Sequence, residues 1–415
     1  MVKLLIIADD FTGALDTGVQ FSSGGIKTKV IVDNHLEVRE DEKNQVLVID
    51  AETRHLSDTD AYRIIYDIVE AAEKAGIPYI YKKTDSALRG NIGSELTAAL
   101  EASSAEVLPF IPAFPKMNRI TREGIHYIDG VPVSKSVFGQ DPFEPVMKDS
   151  VKEIILSQRD TLVTEVAESE KAKCSAPSGI LVYDAVTDES LEETAFLLKK
   201  QNLCHLMAGC AGFATILPQL LELHGEERQE EYLNPRLLVV CGSVNPITRK
   251  QLAYGAKCGY PKINLIPEQK LNQDWWETPD GGKTIQSVKE AVEAGDCCII
   301  DSNDLEGTNS TMEYAGEHQI TLEEVRVRIS QTLGMAAKKL LEQDIRTTFL
   351  ITGGDTLLGL MKQIGSNELM PVCEMAPGSV LTKLEWQGKT YHIITKSGGF
   401  GDEKLLEQIV DKLKK

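Results

Sequence analysis

The sequence has no apolar run long enough to span a membrane, and its first residues lack the charged-then-apolar pattern of a signal peptide. It has eight cysteines but no CxxC pair, so neither a zinc site nor a disulfide framework is indicated. We therefore expect buried thiols in a reducing compartment. These absences predict a soluble cytoplasmic protein with no membrane partner.

Basic residues are scarce relative to acidic ones. The 415-residue chain has 44 Lys and Arg against 63 Asp and Glu, which gives a formal net charge of -19. Because such a charge repels a phosphate backbone, a general nucleic-acid-binding protein is disfavoured. A local basic pocket for a small anion is still compatible with this composition.

Several familiar catalytic motifs are also missing. No GxGxxG follows a predicted strand, which counts against a dehydrogenase, and neither GxSxG nor HExxH occurs. The tripeptide Gly282-Lys283-Thr284 looks like the end of a Walker A loop, but Glu277 stands where that loop requires glycine. No histidine lies in a catalytic pattern, and none is assigned a role.

The length and the alternation of elements indicate the fold class. A chain of 415 residues exceeds the size at which one core keeps growing, so two domains are expected. Short apolar runs alternate with amphipathic helical segments, which predicts α/β domains with mainly parallel sheets covered by helices. A polar stretch between Leu223 and Pro235 predicts a linker. We therefore place the domains at 1–228 and 229–415.

The first strand end carries a group of acids. Leu4 to Ile7 predicts a buried strand of a parallel sheet, and Asp9, Asp10 and Thr12 follow it before a predicted helix. Ligands of open α/β sheets bind outside the carboxyl ends of the strands. These side chains could bind the hydroxyls of a small polar ligand or hold a metal. The alternative is that the acids only cap the following helix.

A second strand end combines cations and hydroxyls. The predicted strand Tyr79 to Lys83 runs into a turn that contains Asp85, Ser86 and Arg89. Lysine and arginine at such a position suit a carboxylate or phosphate ligand, which Arg89 could clamp with two parallel bonds. The alternative is a solvated, capped loop.

The stretch from Asp129 to Asp149 has few periodic signals and reads as a long ordered loop. Loops of this length are usually functional, or serve as lids or partner surfaces.

Three glycine-containing turns mark the second half. Gly242 to Thr248, Ile351 to Thr356 and Lys396 to Asp402 each follow a predicted strand. Glycines between a strand and a helix expose backbone N–H groups, and the helix dipole favours negative charge there. Three such turns in one domain predict a nucleotide site.

Seven motifs occur in one order along the chain, and together they resemble the four-carbon acid sugar kinase family. In chain order they are ADDFTGALDTGVQF, KKTDSALRGNIGSEL, IPAFP, GCAGFA, CGSVNPIT, TGGDT and KSGGFGD. Members of that family phosphorylate threonate, erythronate or 3-oxo-tetronate with ATP. The resemblance covers about residues 3 to 405. It implies an N-terminal domain that binds the acid sugar, a C-terminal domain that binds the nucleotide, and a reaction in the cleft between them.

The resemblance also assigns residues. The substrate-binding set that it implies, with the nearby lysine that the residues themselves suggest, is Asp9, Asp10, Thr12, Lys83, Asp85, Ser86 and Arg89. The ATP-binding set is Ser243, Gly353, Gly354, Asp355, Thr356, Gly398 and Gly399. Cys210 departs from the family pattern, in which serine is common.

Phosphoryl transfer needs in-line positioning, charge neutralisation and usually Mg²⁺. The hypothesis is that Asp10 accepts the proton of the attacking terminal hydroxyl, with Asp85 as the alternative base. Asp355 or Asp402 could help to hold the metal, and no metal ligand is assigned.

We expect an ATP-dependent kinase that forms the 4-phosphate of D-threonate or D-erythronate, with 3-oxo-tetronate as a further candidate. Two other functions stay open: a sugar-acid-binding protein without catalysis, and an NAD-dependent hydroxy-acid dehydrogenase. ATP turnover separates them. The sequence does not encode the oligomeric state; a homodimer is the most common form.

Overall fold

The computed structural model describes residues 2–33, 43–141, 144–173, 178–227 and 231–415. The chain divides into two compact units, Met1–Arg228 and Gln229–Lys415. No helix in the described part of the chain combines the length and the apolar character that crossing a bilayer requires. The seven cysteines among the described residues are free thiols.

The first unit is built on parallel strands. Its strands are β1 Leu4–Ala8, β2 Thr28–Val32, β3 Val46–Asp50, β4 Tyr79–Lys83, β5 Val107–Ile111, β6 Arg119–Arg122, β7 Ile125–Ile128, β8 Val131–Pro132, β9 Val163–Val166, β10 Gly179–Tyr183 and β11 Leu206–Gly209. Eight of them form a parallel sheet in the order β2-β3-β1-β4-β11-β5-β10-β9. The other three, β6 to β8, form a small antiparallel sheet.

Helices cover both faces of the parallel sheet. They are α1 Phe11–Ser22, α2 Asp58–Lys74, α3 Ile92–Ala102, α4 Val151–Leu156, α5 Asp188–Lys200, α6 Ala211–Ala214 and α7 Leu217–Leu220. Leu5 and Ile7 of β1 lie in one core cluster with α2 and α3, whereas Leu4 and Ile6 point to the opposite face and are equally buried. A strand that is buried on both faces has an unbroken run of apolar residues in its sequence, as β1 has.

The second unit mixes parallel and antiparallel strands. They are β12 Leu237–Cys241, β13 Lys262–Asn264, β14 Cys297–Asp301, β15 Thr348–Thr352, β16 Glu368–Ala376, β17 Ser379–Trp386 and β18 Lys389–Lys396. The strands β13-β14-β12-β15-β18 are parallel neighbours, and β17 and β16 continue the sheet with antiparallel pairing.

The helices of the second unit are α8 Pro246–Lys257, α9 Pro267–Leu271, α10 Pro279–Ala294, α11 Ser310–Glu317, α12 Leu322–Glu342, α13 Gly354–Ile364 and α14 Leu405–Leu413. Helices α12 and α13 pack closely because glycines face each other. A Cβ added at Gly334 would lie 2.4 Å from the carbonyl carbon of Gly359, so neither position has room for a side chain. This contact fixes α13, whose N-terminus carries one of the predicted nucleotide loops.

The predicted fold class, α/β with mainly parallel sheets covered by helices, is confirmed. The small sheet β6 to β8 and the antiparallel pairing of β16 and β17 were not predicted. Residues 129–149, expected as a long loop, contain β8 and two 3-10 turns, Val133–Lys135 and Val137–Gln140; positions 142–143 lie outside the described residues.

Candidate active site

Three loops of the first unit meet at one edge of its sheet. Strands β3 and β4 both pair with β1 in parallel, and Ala8 is opposite Asp50 on one side and Lys83 on the other. The residues that follow these strand ends therefore lie side by side. This register brings the predicted acids after β1 next to the predicted cations and hydroxyls after β4.

Asp10 is both a helix cap and part of an acidic pair. It is the N-cap of α1, and its Oδ1 accepts a hydrogen bond of 2.9 Å from the backbone N–H of Gly13. The alternative that both acids only cap the helix therefore holds for one oxygen of Asp10 alone. Asp9 caps nothing; its Oδ2 accepts a 2.8 Å bond from Nε of Arg54, and its Oδ1 is buried without a partner among the described residues.

Arg54, which sequence reasoning missed, joins the two strand ends. Its Nη1 donates to Oδ2 of Asp10 over 2.7 Å, and its Nη2 lies 3.8 Å from Oδ1 of Asp85. The guanidinium is buried, with only 8% of the side chain exposed. A signal in the sequence that points to Arg54 is its place four residues after β3, because the carboxyl ends of parallel strands meet at one edge of the sheet.

Arg89 already makes a bidentate pair within the protein. Its Nε and Nη2 donate to the two oxygens of Asp85 over 2.9 and 3.1 Å, and its Nη1 donates to Asp141 over 3.3 Å. The edge with which Arg89 was expected to clamp a ligand is therefore bonded to Asp85. The turn itself is capped, since Asp85 also accepts from the N–H of Ala87, but it is buried and not solvated.

The two neighbouring lysines of β4 differ in their partners. Nζ of Lys82 lies 2.7 Å from Glu95, and both side chains are almost fully buried. Lys83 is also buried, yet it has no carboxylate partner among the described residues. A Cβ added at Gly13 would lie 2.5 Å from Nζ of Lys83 and 2.5 Å from Oδ1 of Asp10, which places the ammonium group beside the acidic pair.

The remaining predicted residues lie around this group. Thr12 is half-buried in the first turn of α1. Oγ of Ser86 accepts from Arg119 at very short range, and the carbonyl oxygen of Ser86 accepts from Nε2 of His126 over 2.9 Å. The ring of Phe138 lies 5.1 and 5.2 Å from the guanidinium carbons of Arg89 and Arg119, an arrangement that holds the segment 137–140 against the turn.

The positive charges around Asp9 and Asp85 keep these two acids ionised. Burial raises the pKa of Asp9, but the positive charges of Arg54, Lys83 and Lys82 outweigh it and leave the pKa below its usual value. Burial likewise raises the pKa of Asp85, and Arg54 and Arg89 lower it well below the usual range. Both acids are therefore carboxylates at neutral pH.

The second unit brings its three predicted glycine loops together. The loops follow β12, β15 and β18, which are parallel neighbours in the order β12-β15-β18. A Cβ added at Gly398 would lie 2.9 Å from Oγ of Ser243, and one added at Gly353 would lie 3.7 Å from the backbone nitrogen of Ser243. Gly353 has φ of +93°, a conformation that favours glycine. Ser243 thus lies between the other two loops.

Helix α13 begins inside this cluster. Its first turn holds Gly354, Asp355 and Thr356, and its N-cap residue, Gly353, has no side chain with which to cap it. A Cβ added at Gly242 would lie 2.0 Å from Oγ1 of Thr356, so the loop after β12 crosses the start of the helix in close contact. Free backbone N–H groups at a helix N-terminus, with small residues around them, are suited to phosphate.

Two further residues, not predicted from the sequence, hold these loops. Nδ2 of Asn303, which follows β14, donates to the carbonyl oxygen of Ser243 over 3.2 Å. Nζ of Lys396 donates to the carbonyl oxygens of Ser397 and Gly398 over 2.9 and 3.3 Å, and burial lowers its pKa to about 8. Lys396 ends β18 and Asn303 follows the end of β14, and both strands belong to the same parallel set.

Comparisons with known proteins agree with this geometry. A family model described as a sugar-binding N-terminal domain matches residues 4–217, and one described as a nucleotide-binding C-terminal domain matches residues 238–406. A D-threonate kinase of Salmonella typhimurium (strain LT2) is 30% identical over 427 residues, covering 98% of this chain and 97% of the relative. The chain belongs to the four-carbon acid sugar kinase family. The resemblance inferred from the seven motifs is thereby confirmed.

Two further similarities cover nearly the whole chain. A D-erythronate kinase of Heliobacterium modesticaldum is 25% identical over 442 residues, covering 100% of this chain and 97% of the relative. A crystal structure of a Salmonella typhimurium LT2 protein superposes with a TM-score of 0.82 at 20% identity, covering 98% of both chains, which shows the shared fold alone. As a member of this family, the chain is an ATP-dependent sugar-acid kinase.

Proposed function

We propose that this kinase transfers the γ-phosphoryl group of ATP to the terminal hydroxyl of D-threonate or D-erythronate and forms the 4-phosphate. 3-Oxo-tetronate is a third candidate substrate, since further relatives carry that name. The observation that carries the proposal is the pair of polar strand-end sites, one acidic with a buried lysine and one made of glycine loops. They occur in the units that match the sugar-binding and nucleotide-binding models.

The sugar acid has a group for each kind of partner in the first unit. Its hydroxyls can donate to the carboxylates of Asp9 and Asp10, which only accept hydrogen bonds. Its carboxylate suits Lys83, whose buried positive charge has no carboxylate partner among the described residues. We assign the carboxylate contact to Lys83 in preference to Arg89, since two nitrogens of Arg89 are bonded to Asp85.

The ATP phosphates suit the backbone of the second unit. The proposed donors are the N–H groups of Gly354 and Asp355 at the start of α13, of Ser243, and of Gly398 and Gly399. Within the 353–356 turn, the N–H groups of Gly353 and Thr356 already donate to the carbonyl oxygens of Lys396 and Gly353. Small residues let the backbone approach the phosphate oxygens closely, and the positive end of the helix dipole favours their charge.

Asp10 is the better candidate for the base. Its side chain is 23% exposed, whereas that of Asp85 is 9% exposed and bonded to two nitrogens of Arg89. A carboxylate held by two guanidinium nitrogens is a weak proton acceptor, and Arg54 also lowers the pKa of Asp85. In the proposed step, Asp10 accepts the proton of the terminal hydroxyl as its oxygen attacks phosphorus.

The second unit also offers carboxylates that fit Mg²⁺. No group of three potential metal-ligating side chains occurs among the described residues. A magnesium ion in a kinase needs only one or two carboxylates, because ATP phosphates and water complete its shell. Asp355 in the first turn of α13 and Asp402 after the third loop are of the right type, and we propose them as the metal-holding residues. Oδ2 of Asp355 accepts a 2.9 Å bond from Nε of Arg326, so a metal would compete with this ion pair. Bound magnesium would neutralise charge on the transferred group.

The first test measures ADP release from ATP and Mg²⁺ against D-threonate, D-erythronate, L-threonate and 3-oxo-tetronate, with phosphorus NMR of the product. We expect turnover with one D-acid and a phosphate coupled to the two protons of C4. Stabilisation by an acid without ADP release would favour the sugar-acid-binding protein. Reduction of NAD⁺ by an acid would favour the dehydrogenase.

The role of Asp10 has its own test in Asp10→Asn, with Asp60→Asn as the control because Asp60 lies in an exposed pair with Arg63. Loss of a base lowers kcat by about 10²- to 10⁴-fold. A raised KM with nearly unchanged kcat would mean that Asp10 only orients the substrate.

A further inference from the structure

One arginine joins the acids of two strand ends in the first unit. Arg54 is bonded to Asp9 over 2.8 Å and to Asp10 over 2.7 Å, and it lies 3.8 Å from Asp85. Each of its three guanidinium nitrogens, Nε, Nη1 and Nη2, thus faces a different carboxylate. The planar fork of arginine allows this, whereas the single ammonium of lysine does not.

The surroundings hold Arg54 in this position. Its backbone N–H donates to the carbonyl oxygen of Asp9 over 3.1 Å. Nδ2 of Asn91 donates to the carbonyl oxygens of Thr53 and Leu56, one on each side, over 3.0 Å each. A Cβ added at Gly90 would lie 3.0 Å from Cγ of Arg54, so the arginine stem packs directly on that backbone.

We propose that Arg54 is a positioning residue of the kinase reaction, which fixes the carboxylates of Asp9 and Asp10 toward the hydroxyls of the sugar acid. The inference deepens the proposed function and rests on it. Arg54 acts through the two acids and is not assigned a contact with substrate.

The bonds to Asp10 show why orientation depends on Arg54. One oxygen of that carboxylate is fixed by the N–H of Gly13 and the other by Nη1 of Arg54. Without the guanidinium, only the cap bond would limit rotation of the carboxylate. In addition, Asp9 and Asp85 would each lose one of the positive charges that lower their pKa, and Lys82, Lys83 and Arg89 would remain to offset the repulsion among the three acids.

The experiment compares Arg54→Met and Arg54→Lys with wild type in the ADP-release assay from pH 5 to 9. Arg159→Met is the control, because Arg159 also packs in the first unit, over the ring of Tyr62 and 3.7 Å from Asp58. Thermal unfolding of each variant reports folding. KM for ATP and for the sugar acid are measured separately from kcat.

We expect Arg54→Met to lower kcat by about 10²-fold, because misplacement of a reacting group by about 1 Å has that effect. The acidic limb of its kcat/KM profile should move to higher pH, because the charge of Arg54 lowers the pKa of Asp9 and of Asp85. In Arg54→Lys the acidic limb should shift less than in Arg54→Met, because a positive charge remains, but most of kcat should be lost. KM for ATP should stay unchanged, and Arg159→Met should change neither kcat nor the pH profile.

A folded Arg54→Met with wild-type kcat and an unmoved acidic limb would overturn the proposal. If Arg54→Met does not fold, Arg54→Lys is the deciding variant. Full activity of Arg54→Lys with an unchanged pH profile would contradict the proposed role of the arginine guanidinium. A wild-type enzyme that turns over no sugar acid would contradict the proposed function itself, whereas an active wild type with unaffected variants contradicts the role of Arg54 alone.

Discussion

The ammonium group of Lys83 lies against the backbone of Gly13, so closely that an added Cβ at Gly13 would be 2.5 Å from Nζ. The same added atom would be 2.5 Å from Oδ1 of Asp10, which accepts the N–H of Gly13. The first turn of α1 therefore leaves room for the lysine and the acid only while position 13 has no side chain.

Gly13→Ala should disable the sugar-acid site. The new methyl group would displace Lys83, Asp10 or both, and a shift of about 1 Å in a reacting group can cost about 10²-fold. We expect kcat/KM for the sugar acid to fall by that order while KM for ATP is unchanged. Gly282→Ala, at a helical position where no atom of the described residues lies within 4 Å of an added Cβ, is the matched control. Wild-type activity in Gly13→Ala would contradict the placement of Lys83 and Asp10.

The neighbouring lysines 82 and 83 should respond differently to the same substitution. Lys82→Met leaves Glu95 buried without its partner, and breaking a buried pair costs about 3–5 kcal/mol of folding free energy. Lys83→Met removes no ion pair within the described structure, so it should fold with near wild-type stability and weaken sugar-acid binding. Urea unfolding and calorimetric titration measure the two effects. Equal loss of stability in both variants would contradict the distinction.

The nucleotide loops predict a different separation of effects. In Gly398→Ala the added methyl would lie 2.9 Å from Oγ of Ser243 and push two loops apart. We expect KM for ATP to rise at least tenfold, with the Kd of the sugar acid unchanged. Gly316→Ala serves as the control, because an added Cβ there meets no atom within 4 Å in the part of the chain that the structure describes. A changed sugar-acid Kd with normal ATP kinetics would argue against the assigned site.

Buried His126 should make stability depend on pH. Burial lowers the pKa of His126 from 6.5 to about 4. The folded protein therefore stays unprotonated there while the unfolded chain takes up a proton below pH 6.5, so stability is complete above that pH and declines as pH falls toward 4. Between pH 7 and 5 the loss from this group is about 2 kcal/mol. Urea unfolding of wild type and His126→Asn at both pH values measures it; an equal pH dependence in the two proteins would contradict the assignment.

The sequence was most informative where local pattern and local structure coincide. The strand Tyr79–Lys83 has the predicted bounds, and β1 extends the predicted strand Leu4 to Ile7 by one residue, because short apolar runs with sharp polar ends determine such strands. Since parallel strands present their carboxyl ends at one edge, the loops that follow them could be grouped into two sites without knowing the side-chain contacts.

What could not be predicted depends on side-chain partners far apart in the chain. Arg54 pairs with Asp9 and Asp10 across more than 40 positions, and nothing local to Arg54 marks this contact. The same applies to Lys82, which looks like Lys83 in sequence but points to Glu95 on α3. Alternation along a strand sends adjacent side chains to opposite faces, and only the packed helices decide which of the two is neutralised.

The most direct test of the two-site account is backbone hydrogen–deuterium exchange with each ligand alone. The accepted sugar acid should slow exchange in residues 9–13 and 84–90, and leave the second unit unchanged. A non-hydrolysable ATP analogue with Mg²⁺ should slow exchange in residues 242–245, 353–356 and 397–400. Protection of the glycine loops by the sugar acid, or of residues 9–13 by the nucleotide analogue alone, would contradict the account.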